Sequence, residues 1–155
     1  MCERMCYIMT DKELSQKAKE QLSQIKKTDR LIDRLLSTVQ TLRSSLTSQS
    51  YELQPDRVQT SGPKDRLSET FARIDDLERK INARIDDLIR LKGDTLKVIY
   101  QISDKDQQNV LIARYVQGER WEKIAVDLNF SIRQIHRIHG GALVAFAEKM
   151  EEGTL

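Results

Sequence analysis

Long apolar runs, aromatic rings and helix-breaking residues are all scarce in this chain, and each scarcity removes a class of protein from consideration. No stretch approaches the ~18 apolar residues that a membrane span needs, so no transmembrane segment is expected. Aromatics make up 5% of the 155 residues, with two Pro and six Gly, which is poor material for the turns and packed faces of a sheet protein. The two cysteines, Cys2 and Cys6, lie within the first ten residues with no histidine nearby. On their own they build neither a disulfide framework nor a zinc site. No nucleophile stands with a His and an acid, and no Gly-rich phosphate loop is present; catalysis is not expected, nor is any cofactor or resident metal. The start, Met1 to Thr10, lacks the apolar core and cleavage site of a secretory signal. A cytoplasmic location is expected, with residues 1–9 disordered and Met5 or Met9 as the natural start.

What is abundant is charge, evenly mixed. Charged residues reach 32%, with 26 Lys and Arg against 24 Asp and Glu, the profile of long solvated helices. The net charge of +2 decides nothing about nucleic acid, so local distribution has to.

Helical periodicity organises the first two thirds. Thr10-Asp11-Lys12-Glu13 has the form of a capping box, and Ala18, Leu22, Ile25, Ile32, Leu35, Val39, Leu42 and Leu46 then recur at steps of mostly three and four. Thr28 is the polar residue on that stripe. The helix predicted from Thr10 to Leu46 would be about 55 Å long and cannot bury its stripe alone. After a Ser-, Gln- and Pro-bearing break, a second helix is predicted over Lys64–Ile102, with Leu67, Phe71, Ile74, Leu77, Ile81, Ile85, Leu88, Leu91 and Ile99 on one face. Within it Ala72-Arg73-Ile74-Asp75-Asp76-Leu77 returns eleven residues later as Ala83 to Leu88, a spacing that keeps one face aligned over three turns. Dense mixed charge on the other faces reads as solvated surface, the paired aspartates included. An antiparallel pairing of the two helices is the simplest arrangement, and dimeric pairing of the same stripes competes with it.

The last third changes character. Ser103-Asp104-Lys105-Asp106 supplies a fresh N-cap, and three shorter helices are predicted at about 104–116, 120–128 and 132–147, with Gly118 suited to the left-handed position after the first. Ala125 is the small residue that a close helix crossing needs, Asn129 tolerates positive φ in the turn four positions on, and Ser131 caps the last helix. Ile124, Leu128, Phe130, Ile135 and Ile138 fall inward. This is a helix-turn-helix pattern from Trp121 to Phe146. Its outward positions are Ile132, Arg133, His136, Arg137 and Gly140, with Gln134 beside them, and no acidic residue occurs between Ile132 and Ala147. Arg pairs bidentately with guanine and Gln with adenine, while His and Ser reach base edges or phosphates. Ser131, Arg133, Gln134, His136 and Arg137 are therefore the expected DNA-binding residues. His136 and His139 have no further ligand within a helical turn and are not expected to hold a metal, and Tyr115 and Trp121 are read as small-core residues.

The stretch RYVQGERWEKIAVDLNFSIRQIHRIHGGAL resembles the promoter-reading region four of bacterial sigma factors. Together with the leading helix, DRVQTSGPKD and ARIDDLERKIN, it is similar to a family of sigma-like phage and prophage proteins of low-GC Gram-positive bacteria, laid out like the ArpU and RinA type late-gene regulators. That resemblance implies transcriptional control and no chemistry. Primary sigma factors place Arg, Glu and Arg where this chain has Ile132, Arg133 and His136, so their promoter specificity does not carry over. The expected architecture is all-α: residues 1–9 disordered, 10–102 a long antiparallel, coiled-coil-like helical hairpin with a linker at about 47–63, and 103–150 a helix-turn-helix domain. Expected partners are double-stranded DNA, RNA polymerase and a second copy through the N-terminal helices, with no membrane. Two alternatives are a small DNA-packaging terminase subunit and a helical adaptor that does not touch DNA.

Overall fold

A computed structural model describes residues 10–49 and 63–153, all helix and connecting turns, with no strand among them. The elements are α1 (Asp11–Gln49), α2 (Pro63–Ile99), α3 (Lys105–Leu111), which widens into a π-type turn over Ile112–Val116, α4 (Trp121–Asp127) and α5 (Ile132–Glu152). The expected disorder of residues 1–9, the candidate start sites and all but the edges of the linker fall outside the described residues. Among the described residues no helix is long and apolar enough to cross a membrane.

α1, α3 and α5 begin where a side chain bonds a backbone N–H at the helix start, whereas α4 starts after Arg120 with no side-chain cap. The Glu13 carboxylate accepts from the Thr10 backbone N–H at 2.8 Å and from its hydroxyl at 3.1 Å. Pro63 opens α2, where a missing N–H costs nothing. Asp104 Oδ1 accepts from the N–H groups of Asp106 and Gln107, and Ser131 and Gln134 form a reciprocal capping box on α5.

The chain packs as two compact units: residues 28–89, and a second made of the residues up to Lys27 together with those from Arg90 onward. The division falls inside both long helices, not at the break near residue 103.

In the 28–89 unit, Ile32 and Val39 of α1 share a core with Ile74 and Ile81 of α2, supported by Leu35, Leu42, Leu46, Leu77 and Leu88. Arg43 forms an ion pair with Glu78 beside it. The stripe expected on α1 is thus buried or half-buried throughout. On α2 the expectation fails at three positions: Leu67, Phe71 and Ile85 are 46%, 56% and 37% exposed. A single partner helix covers only a narrow band, and these residues lie on its shoulder, where only a third element could reach them.

The other unit has enough elements to close. Leu14, Ala18 and Leu22 of α1 pack with Ile99 of α2, Leu111 of α3 and Ala142, Leu143, Phe146 and Ala147 of α5. The start of α1 therefore lies beside the end of α2, the antiparallel sense. A neighbouring core joins Val110, Ile124, Ala125 and Ile135, flanked by Trp121, Leu128, Phe130 and Ile138. Lys17 and Glu151 pair at 3.0 Å, joining the start of α1 to the end of α5.

Candidate nucleic-acid interface

The turn between α4 and α5 fixes the direction of α5. Asn129 has φ 56°, the one positive φ among the described non-glycine residues. The Phe130 N–H donates to the Ala125 carbonyl at 2.9 Å and the Asn129 N–H to the Val126 carbonyl at 3.1 Å. These are the two bonds of a Schellman ending, which needs a left-handed residue at this position; Asn accepts that conformation more readily than other side chains. Ala125 and Ile124 are buried on α4 and Ile135 on α5, so the two helices meet on the small and aliphatic residues that the pattern singled out.

Burying Ile135, Ala142 and Leu143 turns the opposite face of α5 to solvent, and Ile132, Arg133, Gln134, His136, Arg137 and Gly140 are all exposed. Ser131, Arg133, Gln134 and Arg137 line a shallow groove of about 230 Å³. Neither arginine has a carboxylate partner among the described residues, whereas Lys123 of α4 is held by Glu119 and Asp127. Two of the expected contact residues also have local duties. Gln134 Oε1 accepts from the Ser131 N–H at 2.9 Å and from its hydroxyl at 2.8 Å; facing an obligate backbone donor, that atom must be the oxygen. With its acceptor occupied by the cap, Gln134 retains only its amide donors for a ligand, so the two-bond adenine contact is open to it only at the expense of the cap.

His136 lies elsewhere, against Trp121, with ring centroids 4.8 Å apart. Trp121 also takes His139 edge-on at 4.8 Å and the Arg114 guanidinium over its face at 4.4 Å. Arg114 is further tied down by a 2.8 Å hydrogen bond from Nη1 to the Glu119 carbonyl. His139 is half-buried, and its Nε2 stands 3.0 Å from the Tyr115 hydroxyl. Burial, and then the positive charges of Lys19, His136 and Arg114, hold its pKa down to about 4, while burial pushes the Tyr115 phenol up. Tyr115 and Trp121 are core-flanking, as expected of them. They also wall a second groove.

That groove, about 390 Å³, is lined by Lys19, Ser23 and Lys26 of α1, by Arg114 and Tyr115 of the π-type turn, and by Trp121, His136 and His139. No residue of α1 was among the expected site residues. The available signal was register: Lys19, Ser23 and Lys26 each stand one position after the core residues Ala18, Leu22 and Ile25, on the shoulder of the buried stripe. Among the described residues no group of three or more His, Cys, Asp or Glu is placed to hold a metal ion. No protein-family profile matches the chain, and neither a curated protein nor a solved structure does.

Proposed function

We propose that the chain is a sequence-specific double-stranded-DNA-binding protein in which α4, the Asn129 turn and α5 act as a helix-turn-helix, with α5 entering the major groove. The observation that supports this reading most is the solvent face of α5: exposed Arg133 and Arg137, without carboxylate partners among the described residues, on a helix with no acid from Ile132 to Ala147. Arg133 and Arg137 read guanine edges, Ile132 offers an apolar contact to a thymine methyl, and the Gln134 amide donates to a phosphate while Ser131, its donors held by the cap, fixes the start of the helix. In keeping with the resemblance to sigma-like phage proteins, the role proposed is transcriptional regulation of phage or prophage genes in the bacterial cytoplasm, without catalysis and alongside RNA polymerase.

One such module neutralises few phosphates and binds weakly at physiological salt. Pairing of two copies compensates by joining two half-sites. Support for self-association comes from the exposed residues of α2: Leu67, Phe71, Ile85 and Ile89 stand eleven and seven residues on either side of Glu78. Two α2 helices crossing antiparallel about that position would bring Leu67 against Ile89 and Phe71 against Ile85, the self-complementary pattern that a two-fold interface requires.

The test is binding of genomic duplexes selected by the protein itself, measured by fluorescence anisotropy. Arg133→Ala with Arg137→Ala is expected to lose site preference while keeping its helical circular dichroism. Unchanged affinity and preference would overturn the reading. The same apolar band favours a second reading, a small packaging-terminase subunit; a ring of eight or more copies by light scattering selects it, and a dimer selects regulation.

A further inference from the structure

Besides the Arg133 and Arg137 face of α5, cations gather without a lining acid in the groove beside that helix. On the solvated helix faces many charges pair off, as Arg79 does with Asp75, Lys80 with Asp76, Lys97 with Asp94, and Lys149 with Glu152. Lys19, Lys26 and Arg114 instead converge on one concavity with His136 and His139, and no carboxylate lines it. None of the three cations has an ion pair among the described residues. A sequence balanced overall at 26 basic to 24 acidic residues has thus separated its signs here.

The cations are also arranged differently from solvated surface charge. Arg114 is anchored twice, through its hydrogen bond to the Glu119 carbonyl and its seat on the Trp121 ring, so its remaining N–H groups are held in place before any ligand arrives. Lys19 and Lys26 approach from α1, Arg114 from the π-type turn and His136 from α5. Donors arriving from three directions suit a tetrahedral anion, whose oxygens point apart, better than a planar carboxylate. Burial first, and then the charges of Lys19, His136 and Arg114, lower the pKa of His139.

We propose that this groove binds a phosphate group, held by Lys19, Lys26 and Arg114 with His136 at its edge. The phosphate has two chemical sources. One is the backbone of the duplex read by α5, in which case α1 grips phosphates on the flank of the recognition helix; this form rests on the function proposed above. The other is a small phosphorylated ligand, which does not.

Trp121 is the single tryptophan of the chain and forms the groove wall, so its emission reports occupancy directly. The full-length protein is titrated with a random-sequence duplex at low salt and, separately, with inorganic phosphate in chloride buffer. Wild type is compared with Lys19→Gln/Lys26→Gln and with Arg133→Ala/Arg137→Ala; the two lysines are exposed, so their replacement leaves the fold intact. For a backbone phosphate, the duplex changes Trp121 emission saturably, and Lys19→Gln/Lys26→Gln lowers the slope of log affinity against log salt by about two, at ~0.9 for each phosphate no longer neutralised. For a free ligand, inorganic phosphate alone gives the saturable change, and the lysine variant abolishes it. The proposal is overturned if neither ligand perturbs Trp121, or if the lysine variant titrates as wild type with both. Loss of duplex binding in Arg133→Ala/Arg137→Ala with an unchanged salt slope in the lysine variant would remove the groove and leave base reading standing. A lysine-dependent phosphate response in a protein that binds no duplex would do the reverse.

Discussion

The two compact units use the same helices to different ends. In the 28–89 unit two helices face each other, and the best-buried core residues, Ile32, Val39, Ile74 and Ile81, keep 4–7% of their surface exposed. Among the described residues of this unit, six large apolar side chains, Leu31, Leu36, Leu67, Phe71, Ile85 and Ile89, stand more than a third exposed around them. In the other unit, Ala18, Leu22, Ile99, Val110, Leu111, Ile124, Ile135 and Ala142 are fully buried. The residue types hardly differ; the number of walls does. Two helices bury one stripe each and leave both shoulders wet, while four or five enclose a volume. The closed unit can therefore hold the exposed face of α5 in a fixed direction unaided, whereas the open one leaves apolar area in contact with solvent.

The largest effect that tests this contrast is a cavity. Ile135→Ala in the closed core is expected to cost about 4 kcal/mol, and Ile81→Ala in the open pair about 2 kcal/mol, because a half-open site collapses more easily onto the gap. Chemical denaturation followed by circular dichroism measures both, and equal losses would erase the distinction. Next comes the turn that aims α5: Asn129→Val should cost about 1–2 kcal/mol by forcing a β-branched residue into positive φ, while Asn129→Gly stays near wild type.

Mild acid should act on the closed unit through His139. His139 has its pKa lowered from 6.5 to about 4, so between those values the unfolded chain binds a proton that the folded chain refuses. Its contribution to stability is complete above pH 6.5 and is lost as pH falls through about 4. Discounted for partial exposure, the effect is about 1–2 kcal/mol. It is read from melting temperature against pH, and His139→Gln should flatten that window. Removing the α5 cap by Ser131→Ala costs about 1 kcal/mol. The smallest change in monomer stability, within about 0.5 kcal/mol, belongs to Phe71→Gln/Ile89→Gln on the open unit. If that band joins two copies, the same variant abolishes self-association in sedimentation, and a wild type monomeric at all concentrations would remove the dimer from the proposal.

The sequence was most legible where one physical requirement has few solutions. Positive φ at Gly118 and Asn129, the caps at Asp104 and Ser131, and the buried stripe of α1 each follow from a local rule, and all are in place. Periodicity was less informative about α2, because it says that Leu67, Phe71 and Ile85 share a face with Ile74 and not how much of that face one partner covers. The candidate site divides in the same way. Exposure of Arg133, His136 and Arg137 follows from the period of α5, but the diversion of Gln134 Oε1 into the cap is a competition between two uses of one atom. The approach of Lys19 and Lys26 to His136 joins residues more than a hundred positions apart, a tertiary fact with no local signature. The π-type turn that places Arg114 and Tyr115 was likewise invisible, since IARYV has an ordinary helical composition.

Because the division between units falls inside α1 and α2, the closed unit is discontinuous in the chain: Leu14 and Phe146 share one core. During synthesis the first of these leaves the ribosome long before the second, so the unit cannot close until nearly the whole chain has emerged. Residues 28–89 have their own core and can pair in the meantime, shortening the loop that the late residues must bridge. A fragment cut at residue 103 would leave Leu143 and Phe146 without their α1 partners, whereas excising 28–89 and joining Lys27 to Arg90 by a short turn should yield a self-sufficient miniature.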